Sequence, residues 1–164
     1  MKKFVKTICC LLILIALTVL ALTPVTAYAS PPTEVSGTYT MDSITTLEVR
    51  QAGGNLIIKD EVKQTLYDPY GVVTGTSIFE RTFTLHSNGK FNVQGICIVT
   101  PSMGVGTYTQ RVVATGDMTT GTVQGTTVIL SGTGYFTNIH GHGTITGDPN
   151  VGGTYSGKIH FDPD

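Results

Sequence analysis

Apolar and polar residues alternate along most of the chain after residue 34. Val35–Met41 places Val, Gly, Tyr and Met against Ser and Thr, as a half-buried strand requires. Ile44–Arg50 and Asn55–Gln64 follow, separated by the turn residues Gln51-Ala52-Gly53-Gly54. Tyr67-Asp68-Pro69-Tyr70-Gly71 is a second break. Val72–His86 is then long and rich in β-branched and aromatic residues. It carries Ile78, Glu80, Thr82 and Thr84 on one face and Phe79, Arg81, Phe83 and Leu85 on the other. Ser87-Asn88-Gly89-Lys90 holds the Asn-Gly pair of a tight hairpin, from which Phe91–Val99 returns. Pro101–Gly104 turns into Gly106–Thr115, and Gly116–Gly121 turns into Thr122–Leu130. The last third reads as strands over Gly134–Ile139, Gly143–Thr146 and Thr154–Phe161, with Asp148-Pro149-Asn150 as a turn.

No stretch has the i, i+3, i+4, i+7 spacing of an amphipathic helix, and dense Gly and Thr penalise one. Eight or nine strands at regular spacing predict an all-β fold, either an eight-stranded antiparallel β-barrel or a β-sandwich. Gly37, Gly75, Gly95, Gly125 and Gly157 interrupt otherwise good strands. A small closed barrel uses such positions to bend its strands, whereas a flat sheet has no use for them, so the barrel is preferred.

The first 29 residues follow a different pattern. Met1–Lys6 is cationic, Thr7–Leu22 is an unbroken run of apolar and small residues, and Pro24 precedes the small-x-small triplet Ala27-Tyr28-Ala29. This is the pattern of a secretory signal, with cleavage expected after Ala29. Cys9 and Cys10 lie deep in the apolar run, with no small residues before them to suit lipid modification. The expected organisation is a signal at 1–29, an extended leader at 30–34 and one barrel domain at 35–164. The localisation that follows is secreted or extracytoplasmic, with no membrane attachment after cleavage.

Charge then narrows the function. Charged residues are only 13% of the chain, against roughly 25% in an average soluble domain. Of ten basic residues, Lys2, Lys3 and Lys6 fall in the signal, leaving seven against eleven acidic ones. An acidic domain without a basic stripe argues against nucleic acid as a partner. Cys97 is the only cysteine beyond the signal, so no intrachain disulfide forms, and its run Ile96-Cys97-Ile98-Val99 marks it as a buried small hydrophobe.

The C-terminal third carries a further pattern. Ser131-Gly132-Thr133-Gly134-Tyr135-Phe136 is followed by Ile139-His140-Gly141-His142-Gly143 and by Tyr155-Ser156-Gly157. This arrangement resembles the allene oxide cyclase and dirigent-type β-barrels, above all their small bacterial relatives of unassigned function. The resemblance implies an eight-stranded barrel whose interior holds a small hydrophobic molecule, and it hints at a homo-oligomer. It transfers no catalytic residue.

Candidate chemistry is sparse. Glu80 and Arg81 are adjacent on a long strand, so one of them faces inward. Glu80 paired with Arg111 inside the barrel, together with Tyr108 and Tyr135, forms the expected ligand anchor, and the alternative places both charges in solvent. Tyr39 and Tyr155 are expected to pack. His140 and His142, at i and i+2, are the only pair with metal-ligand spacing, and a competent site needs a third ligand. No nucleophile elbow, phosphate loop, dinucleotide fingerprint or zinc motif is present, and no cofactor is expected. The first expectation is a secreted barrel that binds a small hydrophobic ligand. The alternatives are a structural or surface module of the cell envelope and, more weakly, an isomerase-like or metal-dependent enzyme.

Overall fold

The structure is a computed structural model that describes residues 31–163. The signal read at 1–29 therefore lies outside the described residues. Eight strands follow in chain order: β1 (Thr33–Ala52), β2 (Asn55–Tyr67), β3 (Gly75–Leu85), β4 (Lys90–Pro101), β5 (Tyr108–Asp117), β6 (Thr122–Gly132), β7 (Ile139–Asp148) and β8 (Gly152–Phe161). Each pairs antiparallel with the next, and β8 pairs with β1 to close the barrel. The sandwich alternative is not needed.

Strand alternation decides which side chains fill the interior. On β3, Ser77, Phe79, Arg81 and Phe83 are buried while Thr76, Ile78 and Glu80 are exposed. On β4, Phe91, Val93, Cys97 and Val99 point in. Phe83 stacks on Phe91 with ring centroids 4.7 Å apart, and full burial of such a ring contributes about 1.5–3 kcal/mol. The interrupting glycines sit where neighbouring strands crowd. A Cβ at Gly95 would lie 2.8 Å from Arg81 Cα and 2.9 Å from the Phe79 ring, and one at Gly37 would lie 2.6 Å from the Tyr155 hydroxyl. Any side chain there would push the wall apart.

Three local readings differ from the structure. Val35–Met41 and Ile44–Arg50 are one strand, β1. Register shifts at Met41/Ser43 and Thr46/Glu48 produced the apparent break, because each bulge offsets the alternation by one residue. Gly134–Ile139 is not a strand: Gly134–Phe136 forms a 3-10 turn, and β7 begins at Ile139. Residues 72–74 belong to a loop, and β3 starts at Gly75.

The barrel has two distinct ends. At the hairpin end, the tight turn before Lys90 is closed by His86 N–H donating to Lys90 O (2.8 Å), with Gly89 at φ 80°. At the loop end lie residues 68–74, 102–107 and 133–138, the start of β1 and the end of β8. β1 pairs with β8 only over Thr33–Thr40 but with β2 as far as Ala52. Its second half is thus an arm with one free edge, exposing Ile44, Leu47 and Val49.

Candidate functional site

Inward side chains from all eight strands leave a cavity of about 80 Å³ between the middle of the barrel and its loop end. Most of its lining is aliphatic or aromatic, including Val35, Leu66, Phe79, Ile145 and Ile159. A few polar groups converge on it: the tyrosines Tyr39, Tyr108 and Tyr155, the amides Gln64 and Gln110, and Cys97.

These groups are held in place by one another. Gln64 and Ser77 face each other across β2 and β3, and the Ser77 hydroxyl donates to Gln64 Oε1 at 3.0 Å. Cys97 faces Gln110 across β4 and β5. Burial pushes the Cys97 thiol up, while side-chain hydrogen bonds with Ser77 and Gln110 pull it partly back. A thiol held protonated in this way is a poor nucleophile. Burial likewise raises Tyr108, with Cys97 and Tyr155 adding to it, and raises Tyr155, with Asp68 adding. Tyr39 is raised by burial against the opposing pull of Arg81. At neutral pH all three phenols are therefore neutral and able to donate. The Tyr155 hydroxyl reaches the backbone O of Tyr67 at 3.4 Å.

The cavity is stoppered at both ends. Towards the hairpin end, Arg81 and Asp60 form a buried, two-pronged ion pair, Nε–Oδ1 2.7 Å and Nη2–Oδ2 3.1 Å. The guanidinium lies 5.7 Å from the Phe83 ring centre and reaches Pro149 O at 3.5 Å, tying the β7–β8 hairpin to the opposite wall. Towards the loop end, buried Asp68 organises the 68–74 loop. Its carboxylate accepts from the N–H groups of Tyr70 (2.8 Å), Val72 (3.1 Å) and Val73 (3.2 Å). That arrangement presses Val73 into the cavity. Phe136 of the 3-10 turn packs on Tyr108 at 5.9 Å.

Where the cavity meets β7 and β8, the wall is thin. His142, Gly143, Ser156 and Gly157 border both the inner cavity and a groove on the outer surface. Gly143 and Gly157 pair with each other across the two strands and contribute no side chain.

The expected site residues divide. Tyr108 lines the cavity. Glu80 and Arg111 do not: both are exposed, on the outer face. The inward charge of the Glu80-Arg81 pair is Arg81, because it shares a face with Phe79 and Phe83, and its partner is Asp60 rather than Arg111 or Glu80. Tyr135 lies in the 3-10 turn, 63% exposed, edge-on to Phe136 and Phe161, and does not reach the cavity. His140 and His142 both project outward without converging. His140 instead lies 3.1 Å from Asp162 and stacks on His160 at 5.5 Å. Among the described residues no group of three or more His, Cys, Asp or Glu is arranged to hold a metal ion. Tyr39 and Tyr155, expected only to pack, also line the cavity. Gln64, Gln110 and the Asp60–Arg81 pair went unnoticed, although the Phe79-x-Arg81-x-Phe83 alternation already placed Arg81 inside.

No protein-family model matches the chain, and no curated protein matches it. Among solved structures, a protein of unknown function of the DUF3224 family from Shewanella oneidensis MR-1 is similar, with a TM-score of 0.60 and 18% sequence identity. The match covers 82% of this chain and 100% of that chain. At that identity the likeness is one of fold alone.

Proposed function

We propose that this protein is an exported barrel that binds a small, mainly apolar molecule carrying one or two acceptor atoms. The carrying observation is an interior cavity with an apolar lining and a few converging neutral donors, the arrangement by which proteins hold and orient small ligands. The Tyr39 and Tyr108 hydroxyls and the Gln64 and Gln110 amides supply the orientation, the Tyr155 hydroxyl being directed at Tyr67 O. The lining includes no Lys or Arg, and nearby Arg81 is already engaged by Asp60. The chemistry therefore favours a carbonyl, ether or alcohol over a carboxylate or phosphate. The resemblance of the Gly132–Gly143 segment to allene oxide cyclase and dirigent-type barrels supports the same reading. The pattern of residues 1–29 supports export.

Volume sets the size of the guest. The cavity is about 80 Å³, roughly half the ~150 Å³ of an apolar cavity that accepts benzene. A guest of ring size enters by displacing a side chain, and Val73 on the 68–74 loop is the stopper at the loop end.

Native mass spectrometry of the purified protein before and after mild organic extraction tests this reading, followed by NMR titration with benzene, indole and cyclohexanone. A co-purifying mass of one per chain, or saturable shifts at Tyr108, Tyr155 and Val73, is the expected result. A bare mass, with no interior shift from any of the three probes, overturns the binding reading and leaves a structural module. Export is tested separately by the mass of the mature N-terminus, expected to begin at Ser30.

A further inference from the structure

The outer face of β3–β6 carries a patch that the cavity does not explain. Ile78, Ile96, Ile98, Val113, Val128 and Leu130 are each 39–50% exposed. Ile78 faces Ile98 across β3 and β4, and Ile96 lies two residues away on the same outward face. One row of the sheet runs Glu61, Glu80, Ile96, Arg111, Val128, each residue facing the next across its strand pair. Its charges are arranged unusually. Glu61 and Glu80 are directly opposed like charges, a destabilising pair. Arg111 lies two strands from Glu80, on the far side of Ile96, and none of the three takes part in an ion pair among the described residues. Isolated apolar residues on a surface need no explanation, but a contiguous patch ringed by unpaired charge marks an interaction site.

We propose that this face joins two copies of the chain about a twofold axis running parallel to β4 over Ile96. The axis direction follows from charge. β3 and β5 flank β4 at about 4.8 Å on either side. A twofold along the strands exchanges these sides, setting Glu80 of one copy over Arg111 of the other, twice per interface. A twofold across the strands would set Glu80 on Glu80 and Arg111 on Arg111. Only the first orientation sets a cation over Glu80, whose directly facing neighbour on β2 is Glu61.

Shape agrees with charge. The barrel surface is convex, so two such surfaces touch along their crests and diverge to either side. On the β4 crest the compact Ile96 and Ile98 meet their own counterparts. On β3 and β5, where the surfaces diverge, the long side chains of Glu80 and Arg111 span the widening gap. Two sheets packed this way keep their strands within about 30° of each other. The apolar centre is about 15 by 20 Å on strand spacings, less than the roughly 800 Å² per partner of a standard stable interface. A concentration-dependent dimer is therefore expected rather than a permanent one.

Sedimentation velocity over a concentration series tests the proposal, using the purified protein and three charge variants. Each variant is first shown to be folded, with an unfolding midpoint at or above that of the parent, since Glu80→Arg also relieves the Glu61–Glu80 repulsion. Wild type is expected to shift from monomer to dimer as concentration rises. Glu80→Arg and Arg111→Glu, taken singly, should each weaken the dimer by about tenfold or more, because like charges then face each other across the axis. The double variant Glu80→Arg/Arg111→Glu should regain wild-type dimerisation within about threefold, since the exchanged charges are again complementary. A wild type that stays monomeric to about 1 mM, a dimer that survives both single reversals, or a double variant that fails to recover each overturns the proposal. The result is independent of whether the cavity binds anything.

Discussion

Two walls of the same barrel are filled in opposite ways. On β3 and β4 most inward positions hold large side chains, and Phe79, Arg81, Phe83, Phe91, Val93, Cys97 and Val99 are all buried, with Gly95 and Leu85 partly buried between and beyond them. On β7 and β8 the corresponding positions alternate between glycine and larger residues: Gly141, Gly143, Ile145 and Gly147, then Gly153, Tyr155, Gly157 and Ile159. There, even the inward-facing Ile145, Tyr155 and Ile159 are only half-buried. The first wall supplies the mass that fills the interior, and the second leaves the space. An eight-stranded barrel is just wide enough for its own side chains to fill. A binding space in one is therefore obtained by thinning a wall, and here the thin stretch is the glycine-rich segment at Gly141–Gly143 and Gly157. The contrast teaches that β3 and β4 supply most of the packing mass and β7 and β8 most of the space, while the cavity lining is drawn from all eight strands.

The sharpest way to break this contrast is at the buried ion pair. Asp60→Ala leaves Arg81 buried without a partner, and should cost about 3–5 kcal/mol in urea unfolding. The double substitution Asp60→Leu/Arg81→Met should recover most of that loss, since an apolar pair of similar volume is often as stable. Failure to recover would mean that the Arg81 contact to Pro149 O matters more than the charge. Next, Phe91→Ala should lose about 3–5 kcal/mol, while Ile145→Ala should fall near the low end of its class, about 2 kcal/mol. Equal losses would show that the two walls share the load.

A smaller effect is expected from alkali. Tyr39, Tyr108 and Tyr155 have pKa values raised in the folded state, so the unfolded chain loses these protons first. Stability from this source is complete below the unfolded value of about 10 and declines as pH rises above it. The urea midpoint should fall between pH 9.5 and pH 11.5 (about half a unit below to one and a half above that value), and Tyr108→Phe should flatten the fall. An unchanged slope in that variant would place the sensitivity elsewhere. The smallest expected signal is kinetic: labelling of Cys97 by a thiol reagent should be slow in the native state. Labelling that is fast and independent of urea would mean that the thin wall or the 68–74 loop opens without unfolding the β2–β5 wall.

Much of the fold was legible because strand alternation is a local property. The faces of β3 could be read directly, and the Asn88-Gly89 turn needed nothing beyond its own residues. What could not be read depends on partners far away in sequence. The Met41/Ser43 bulge is defined by the residues opposite it on β2, so the chain alone suggested two strands where there is one. The 3-10 turn at Gly134–Phe136 is fixed by contacts to the 102–107 loop, including Tyr135 N–H donating to Val105 O at 2.8 Å. Tyr108, which stands on a clear strand, does face the interior. Glu80 and Arg111 lie outside, as the solvent-face alternative had them, and the inward anchor offered for them rested on charge pairing without the alternation that separates the two faces. The cavity itself left no mark in any one segment, since it is a deficit of volume summed over β6, β7, β8 and β1.

The closing seam has a consequence in time. Seven of the eight strand pairs join neighbours in sequence and can form as each hairpin leaves the ribosome. The eighth joins Thr33–Thr40 to Gly152–Ile159, the first strand to the last. Until β8 is present the sheet is open, and β1 offers a bare edge along its whole length, including the apolar arm at Ile44, Leu47 and Val49. The interior also has no β8 wall until that moment, so the cavity comes into being with the final closure. Rejoining Phe161 to Thr33 and opening a different hairpin would move the slow, long-range step to another pair of strands.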